Sequence, residues 1–163
     1  MFDEELIDAT VRLLMEARIN QVKFATAESC TGGLLAGLLT EIPGSSDVFE
    51  RGFVTYSNLA KHELLGVPTD TLSFHGAVSP QTANAMANGV LKNSAADVAV
   101  SVTGVAGPGG GSAEKPVGLV YFGLARKGSL TRTFEQNFGD IGRDKIRLSA
   151  VNYAIGLFFK AMQ

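Results

Sequence analysis

The chain has 163 residues, 45% of them hydrophobic and 18% charged, with 14 basic and 16 acidic side chains and a formal net charge of −2. That balance excludes a disordered chain and leaves a phosphate-tracking nucleic-acid surface without the basic cluster it needs. The single cysteine, Cys30, excludes an internal disulfide and a cysteine-based zinc cluster, and no apolar run approaches the length of a bilayer span.

Residues 4–18 place Leu6, Val11, Leu13, Leu14 and Ala17 on one helical face, with Asp3 available as the N-cap. This acidic, helical start is unlike a secretory signal, so a cytoplasmic protein is expected. A short strand is predicted over 22–26 and a helix over 31–40. Pro43-Gly44-Ser45-Ser46 reads as a loop. Residues 49–57 alternate like a strand, and Asn58 is predicted to cap a short helix that ends at Gly66.

Ser79-Pro80 announces another helix, with serine as cap and proline at the first helical position, running to about residue 93. Residues 97–102 (DVAVSV) are nearly all apolar, as in a strand covered on both faces. A glycine-rich loop, TGVAGPGGGSAEKP, follows. Strands over 117–125 and 130–138 form a hairpin around Lys127-Gly128, and a last helix covers 141–161. Alternating helices and strands followed by two adjoining strands predict a three-layer α/β/α sandwich. Its sheet should be mixed and mostly parallel, of about five strands with one antiparallel member. With no linker, repeat or composition shift, a single domain over 1–163 is expected. Leu157-Phe158-Phe159 and the strand at 117–125 are candidate surfaces for a homo-oligomer, and core packing accounts for them equally well.

Three unusual segments follow predicted strands, where open α/β sheets gather their ligands: AESCTGG (27–33), TYSNLAK (55–61) and TGVAGPGGG (103–111). A serine or cysteine in the first turn would stand at the positive end of a helix. Free backbone N–H groups there can hold an anion or a developing oxyanion. The competing role is helix capping by Ser29, Cys30 or Thr31. Cys30 is expected to be buried and Ser29 exposed, yet the pattern leaves both in contention as nucleophile.

A serine needs a base. His62 lies in a polar helix and His75 in a loop beside Gly76, neither with a carboxylate near in sequence. Lys61, early in its helix and partly buried, would have a lowered pKa suited to a base, although spacing alone favours a solvated surface lysine. Tyr56 could relay a proton or fix the serine hydroxyl.

The glycine loop matches neither a Walker nor a dinucleotide-binding pattern. Its backbone N–H groups with Thr103 could still cradle a phosphate or a ribose. In GDIGRDKIR, Arg143 could hold a phosphate bidentately, whereas Lys145 and Arg147 read as solvated helix charges. Glu28, Asp97 and Asp140 do not form a spaced ligand set, so no metal is expected.

Taken together, TAESCTGG, PGSSDVFERGFVTYSNLAK, HGAVS and VTGVAGPGGGSAEKPVGLVYFG resemble the CinA C-terminal domain family over about residues 5–160. The resemblance implies a three-layer sandwich and, for the family's enzymatic members, hydrolysis of the carboxamide of nicotinamide mononucleotide to nicotinate mononucleotide and ammonia. Larger members carry a further N-terminal molybdopterin-binding-like domain, and this chain resembles the stand-alone amidase form. By the same resemblance the nucleophile is Ser29, the base Lys61 and the assisting residue Tyr56, with no metal or cofactor. The substrate would be held by Thr31, Gly32, Gly33, Thr103, Gly104, Gly107, Gly109 and Arg143. The implied partner is a small-molecule nucleotide, not nucleic acid or membrane. A different class stays open: a pyridine-nucleotide-binding or regulatory module without turnover.

Overall fold

Sheet strands in this chain carry two kinds of side chain, and the difference decides which helices lie on which face. A computed structural model describes residues 1–163. In chain order it contains α1 (Glu4–Ile19), β1 (Phe24–Glu28), α2 (Leu34–Glu41), a 3-10 turn (Ser45–Asp47) and β2 (Phe49–Val54). Then follow α3 (Asn58–Leu65), α4 (Thr69–His75), α5 (Pro80–Lys92), β3 (Val98–Gly104), β4 (Leu119–Arg126), β5 (Arg132–Asn137) and α6 (Arg143–Met162). The sheet order is β2-β1-β3-β4-β5. β1 pairs in parallel with β2 and β3, while β4 runs antiparallel to both β3 and β5. The expected mixed sheet with one reversed strand is therefore present.

One face bears Phe24, Val98, Val100, Val102, Val120, Phe122 and Leu124, which pack under α1, α2 and α6 in the larger core. Rings of Phe24 and Phe158 meet there with centroids 4.4 Å apart. The other face bears Ala25, Ala27, Ala99 and Ala125 against Met86, Ala87 and Val90 of α5. Small residues let α5 come close. Ser101 Oγ donates to the Ala83 carbonyl at 2.6 Å and accepts from the Gly123 N–H at 3.0 Å. A Cβ at Gly123 would collide with that same carbonyl. Strict alternation along FATAE and VAVSV thus sorts a bulky layer from a thin one.

Several boundaries depart from expectation. β1 starts two residues late because the Lys23 N–H is taken by the Asp97 carboxylate at 2.8 Å. α2 begins at Leu34, since Gly32 and Gly33 adopt φ of 60° and 98° and spend the preceding residues in a turn. Ser57, not Asn58, caps α3 by accepting from the Ala60 N–H at 3.0 Å. His75 is the last residue of α4 rather than a loop residue. On α1 the buried face takes Thr10, whose hydroxyl donates to the Leu6 carbonyl at 2.7 Å, and leaves Val11 half-exposed. Leu157 and Phe158 are buried and β4 is an internal strand, whereas Phe159 is half-exposed. No helix is long and apolar enough to cross a membrane.

Candidate active site

From β1 the chain passes to β2 on one side and later to β3 on the other, which makes the carboxyl ends of β1 and β3 the switch point of the sheet. Ser29 sits there, directly after β1. Its N–H is bonded to the Val102 carbonyl at 2.9 Å, and it is only 8% exposed. The expected exposure of Ser29 is therefore corrected: the strand pairing continues one residue past β1 and draws the serine inward.

Lys61 is fully buried, which overturns the solvated surface position favoured by spacing. It reaches from the fourth residue of α3 to Ser29 Oγ, with Nζ 2.9 Å away. The same Nζ donates to the Thr55 carbonyl at 2.8 Å and lies 3.3 Å from the Tyr56 carbonyl. No carboxylate pairs with it. Burial accordingly lowers its pKa from the ordinary 10.5 to about 8. Cys30, also buried, moves the other way: desolvation raises its thiol to about 11. The sulfur is thus a protonated small hydrophobe, and of the two side chains it is the Ser29 hydroxyl that meets the buried amine.

A cavity of about 280 Å³ opens in front of this pair. Among its lining are Ser29, Cys30, Tyr56, Thr103, Gly104, Gly107, Gly109 and Arg143, so all three unusual segments converge with the start of α6. The Thr103 hydroxyl donates to the Ala77 carbonyl at 2.7 Å and fixes the HGAVS segment against the end of β3. Arg143 donates to the Gly107 carbonyl at 2.8 Å and to the Tyr56 hydroxyl at 3.2 Å. Tyr56 itself is 61% exposed, and its hydroxyl does not bond to Ser29 or Lys61. Thr31, Gly32 and Gly33 are not part of the lining. His62 Nδ1 faces the Val67 carbonyl at 2.9 Å, and His75 is exposed.

Two residues of this region were not singled out by the sequence. Glu28, 1% exposed, accepts from the N–H groups of Gly33 at 3.1 Å, Leu35 at 3.0 Å and Ala36 at 2.8 Å. It does for α2 what a capping side chain would do, because Gly33 offers none. A signal existed: in FATAE a carboxylate falls on the face of Phe24 and Thr26, where an unpartnered charge is prohibitive. Arg147 was read as a solvated charge, yet it is half-buried and donates to the carbonyls of Cys30 at 3.1 Å and Thr31 at 2.9 Å. Nothing local could show that, because its partners lie over a hundred residues away in sequence.

The sequence profile of the CinA C-terminal domain matches residues 4–162. The chain belongs to that family. Its fold matches a solved family structure, the competence/damage inducible protein CihA from Agrobacterium tumefaciens, with a TM-score of 0.98, 50% identity and 100% and 99% of the two chains covered. The nicotinamide-nucleotide amidohydrolase PncC of Enterobacter agglomerans is 59% identical over 130 residues, 79% of this chain and 78% of that protein. PncC of Shigella flexneri is 47% identical over 156 residues, 95% and 93% of the two. Family members named putative competence-damage inducible proteins are longer: this chain spans 34% of the one from Caldicellulosiruptor bescii, at 52% identity over 146 residues.

Proposed function

We propose that this chain hydrolyses the carboxamide of nicotinamide mononucleotide, releasing ammonia and nicotinate mononucleotide, with Ser29 as nucleophile and Lys61 as base. The observation that carries this reading is the 2.9 Å contact between Ser29 Oγ and a fully buried amine whose pKa falls to about 8. Near-full-length similarity to proteins named nicotinamide-nucleotide amidohydrolases supports the substrate class.

The two carbonyls beside Nζ explain why the base is aimed. As an ammonium, Lys61 directs its three protons to the carbonyls of Thr55 and Tyr56 and to Ser29 Oγ. Once neutral, it keeps its two N–H bonds to the carbonyls and turns its lone pair on the serine hydroxyl. Ser29 Oγ then attacks the amide carbon as its proton passes to Nζ.

The turn supplies the oxyanion donors, and its hydrogen bonds leave only two. The Ser29 N–H goes to Val102, that of Gly32 to the Ser29 carbonyl and that of Gly33 to Glu28. The Cys30 and Thr31 N–H groups donate to no other residue, and Cys30, which lines the cavity, is the one placed for the negative oxygen, such a donor being worth about 3 kcal/mol. Collapse of the tetrahedral adduct breaks the C–N bond, Lys61 returns the proton to the leaving ammonia, and water cleaves the ester left on Ser29. Tyr56, with its hydroxyl on Arg143, faces the substrate rather than the transferred proton. The Arg143 guanidinium, at the open side of the cavity, would take the phosphate.

Ammonia release from nicotinamide mononucleotide tests this. Activity is expected in the wild type and in Cys30→Ala and is expected to vanish in Ser29→Ala. A folded wild type that binds the nucleotide without releasing ammonia would instead make the chain a binding module.

A further inference from the structure

The two free N–H groups of the turn belong to peptides whose opposite ends are tied down. In a trans peptide the C=O and N–H point in opposite directions, so whatever holds the oxygen also aims the hydrogen. The Ser29 carbonyl, joined to the Cys30 N–H, accepts from Gly32 at 3.0 Å inside the turn. The Cys30 carbonyl, joined to the Thr31 N–H, accepts from Arg147 Nε at 3.1 Å. The next carbonyl, that of Thr31, takes Arg147 Nη2 at 2.9 Å. From within, the Glu28 carboxylate holds Gly33, Leu35 and Ala36. Gly32 leaves room for the guanidinium, since a Cβ there would stand 3.3 Å from Arg147 Nη2.

We infer that Arg147 is a positioning residue for the amidase reaction: its fork on the Cys30 and Thr31 carbonyls, working against Glu28, fixes the turn so that the Cys30 N–H, at the cavity lining, stays aimed at the place where the oxyanion forms. This rests on the amidase reading above. Arg147 itself touches no reacting atom and acts through the backbone. Its separation in role from Arg143 is clear in the geometry, because Arg143 lines the cavity and Arg147 does not. The contribution belongs to the transition state, where charge reaches the oxygen, and not to the bound substrate.

Steady-state ammonia release by wild type, Arg147→Ala, Arg147→Lys and Glu28→Gln provides the test, with amide hydrogen exchange on the same proteins. Arg147→Ala is expected to lower kcat about 100-fold, with KM and the apparent pKa of the rate profile unchanged. Arg147→Lys keeps the charge but loses the fork and should recover only part of that rate. Glu28→Gln leaves one N–H of α2 facing an amide nitrogen and should also lower kcat at constant KM. Full activity in Arg147→Lys would reduce the role to charge alone, and a raised KM with intact kcat would make Arg147 a substrate contact. Either result overturns the inference. In wild type the Cys30 amide, at the cavity, should exchange faster than those of Gly32 and Gly33, and protection of Gly32 should fall in Arg147→Ala. An unchanged pattern would remove the clamp whatever the activity. A wild type that shows this pattern without releasing ammonia would refute the amidase reading instead.

Discussion

Lys61 holds its position through three contacts, and only one of them is to the residue it would activate. Its charge is decided by burial, which lowers the pKa to about 8. The form that can accept a proton is the neutral amine, so kcat/KM for nicotinamide mononucleotide should climb with pH, about tenfold per unit well below 8, and level off above it. A pH–rate profile flat from 6 to 9 would separate the catalytic step from this amine. At this scale the sequence was least informative. A lysine three residues past the predicted Asn58 cap reads as surface because nothing nearby in sequence shows that α3 turns this side toward the end of β1. Arg147 was misread for the same reason: a partner that is distant in sequence leaves no local signature. Ser29 was nominated by its turn, but its selection over Cys30 needed the resemblance, and the raised thiol pKa now gives a physical reason for the same choice.

The element that carries Lys61 is short and is held in place from behind. α3 packs on α5 through Gly89, where any side chain would strike the Leu65 carbonyl. Gly89→Ala is therefore expected to push the end of α3 outward, costing about 1–3 kcal/mol of stability, and to lower kcat because Nζ moves with the helix. Thermal unfolding and turnover measured on that variant should fall together; loss of stability with full turnover would show that α3 moves without its lysine. Elements as such were largely legible. Alternation over 49–57, the apolar run DVAVSV, the helical spacing of apolar residues and the Ser79-Pro80 start announced every strand and all helices but α4. α4 escaped because TDTLSFH buries no residue and so has no periodic apolar face to announce it. The start of α2 moved by three residues since turn geometry, set by positive φ at Gly32 and Gly33, consumed residues that composition would have given to the helix.

Across the whole molecule, the buried amine has a thermodynamic cost. Folding lowers the Lys61 pKa, so between about 8 and 10.5 the unfolded chain binds more protons than the folded one, and stability rises with pH through that window. Below pH 8 the full penalty applies; above 10.5 it is gone. Relative to Lys61→Met, wild type should gain on the order of 3 kcal/mol between pH 8 and 10.5, read from denaturant unfolding of both proteins. A pH-independent difference would mean that the amine is solvated. The larger architecture was predictable because layer and sheet topology follow from element order, whereas the site depends on four chain segments meeting at one edge of the sheet. That edge is the carboxyl end of β1 and β3; the hairpin tip at Lys127-Gly128 hangs from the other, where β3 begins opposite Arg126. A seven-residue strand, about 20 Å, separates the two. A loop graft, an affinity tag or a fluorescent reporter spliced in after Gly128 would therefore occupy ground that the reacting groups never visit, and the molecule can be labelled there without being slowed.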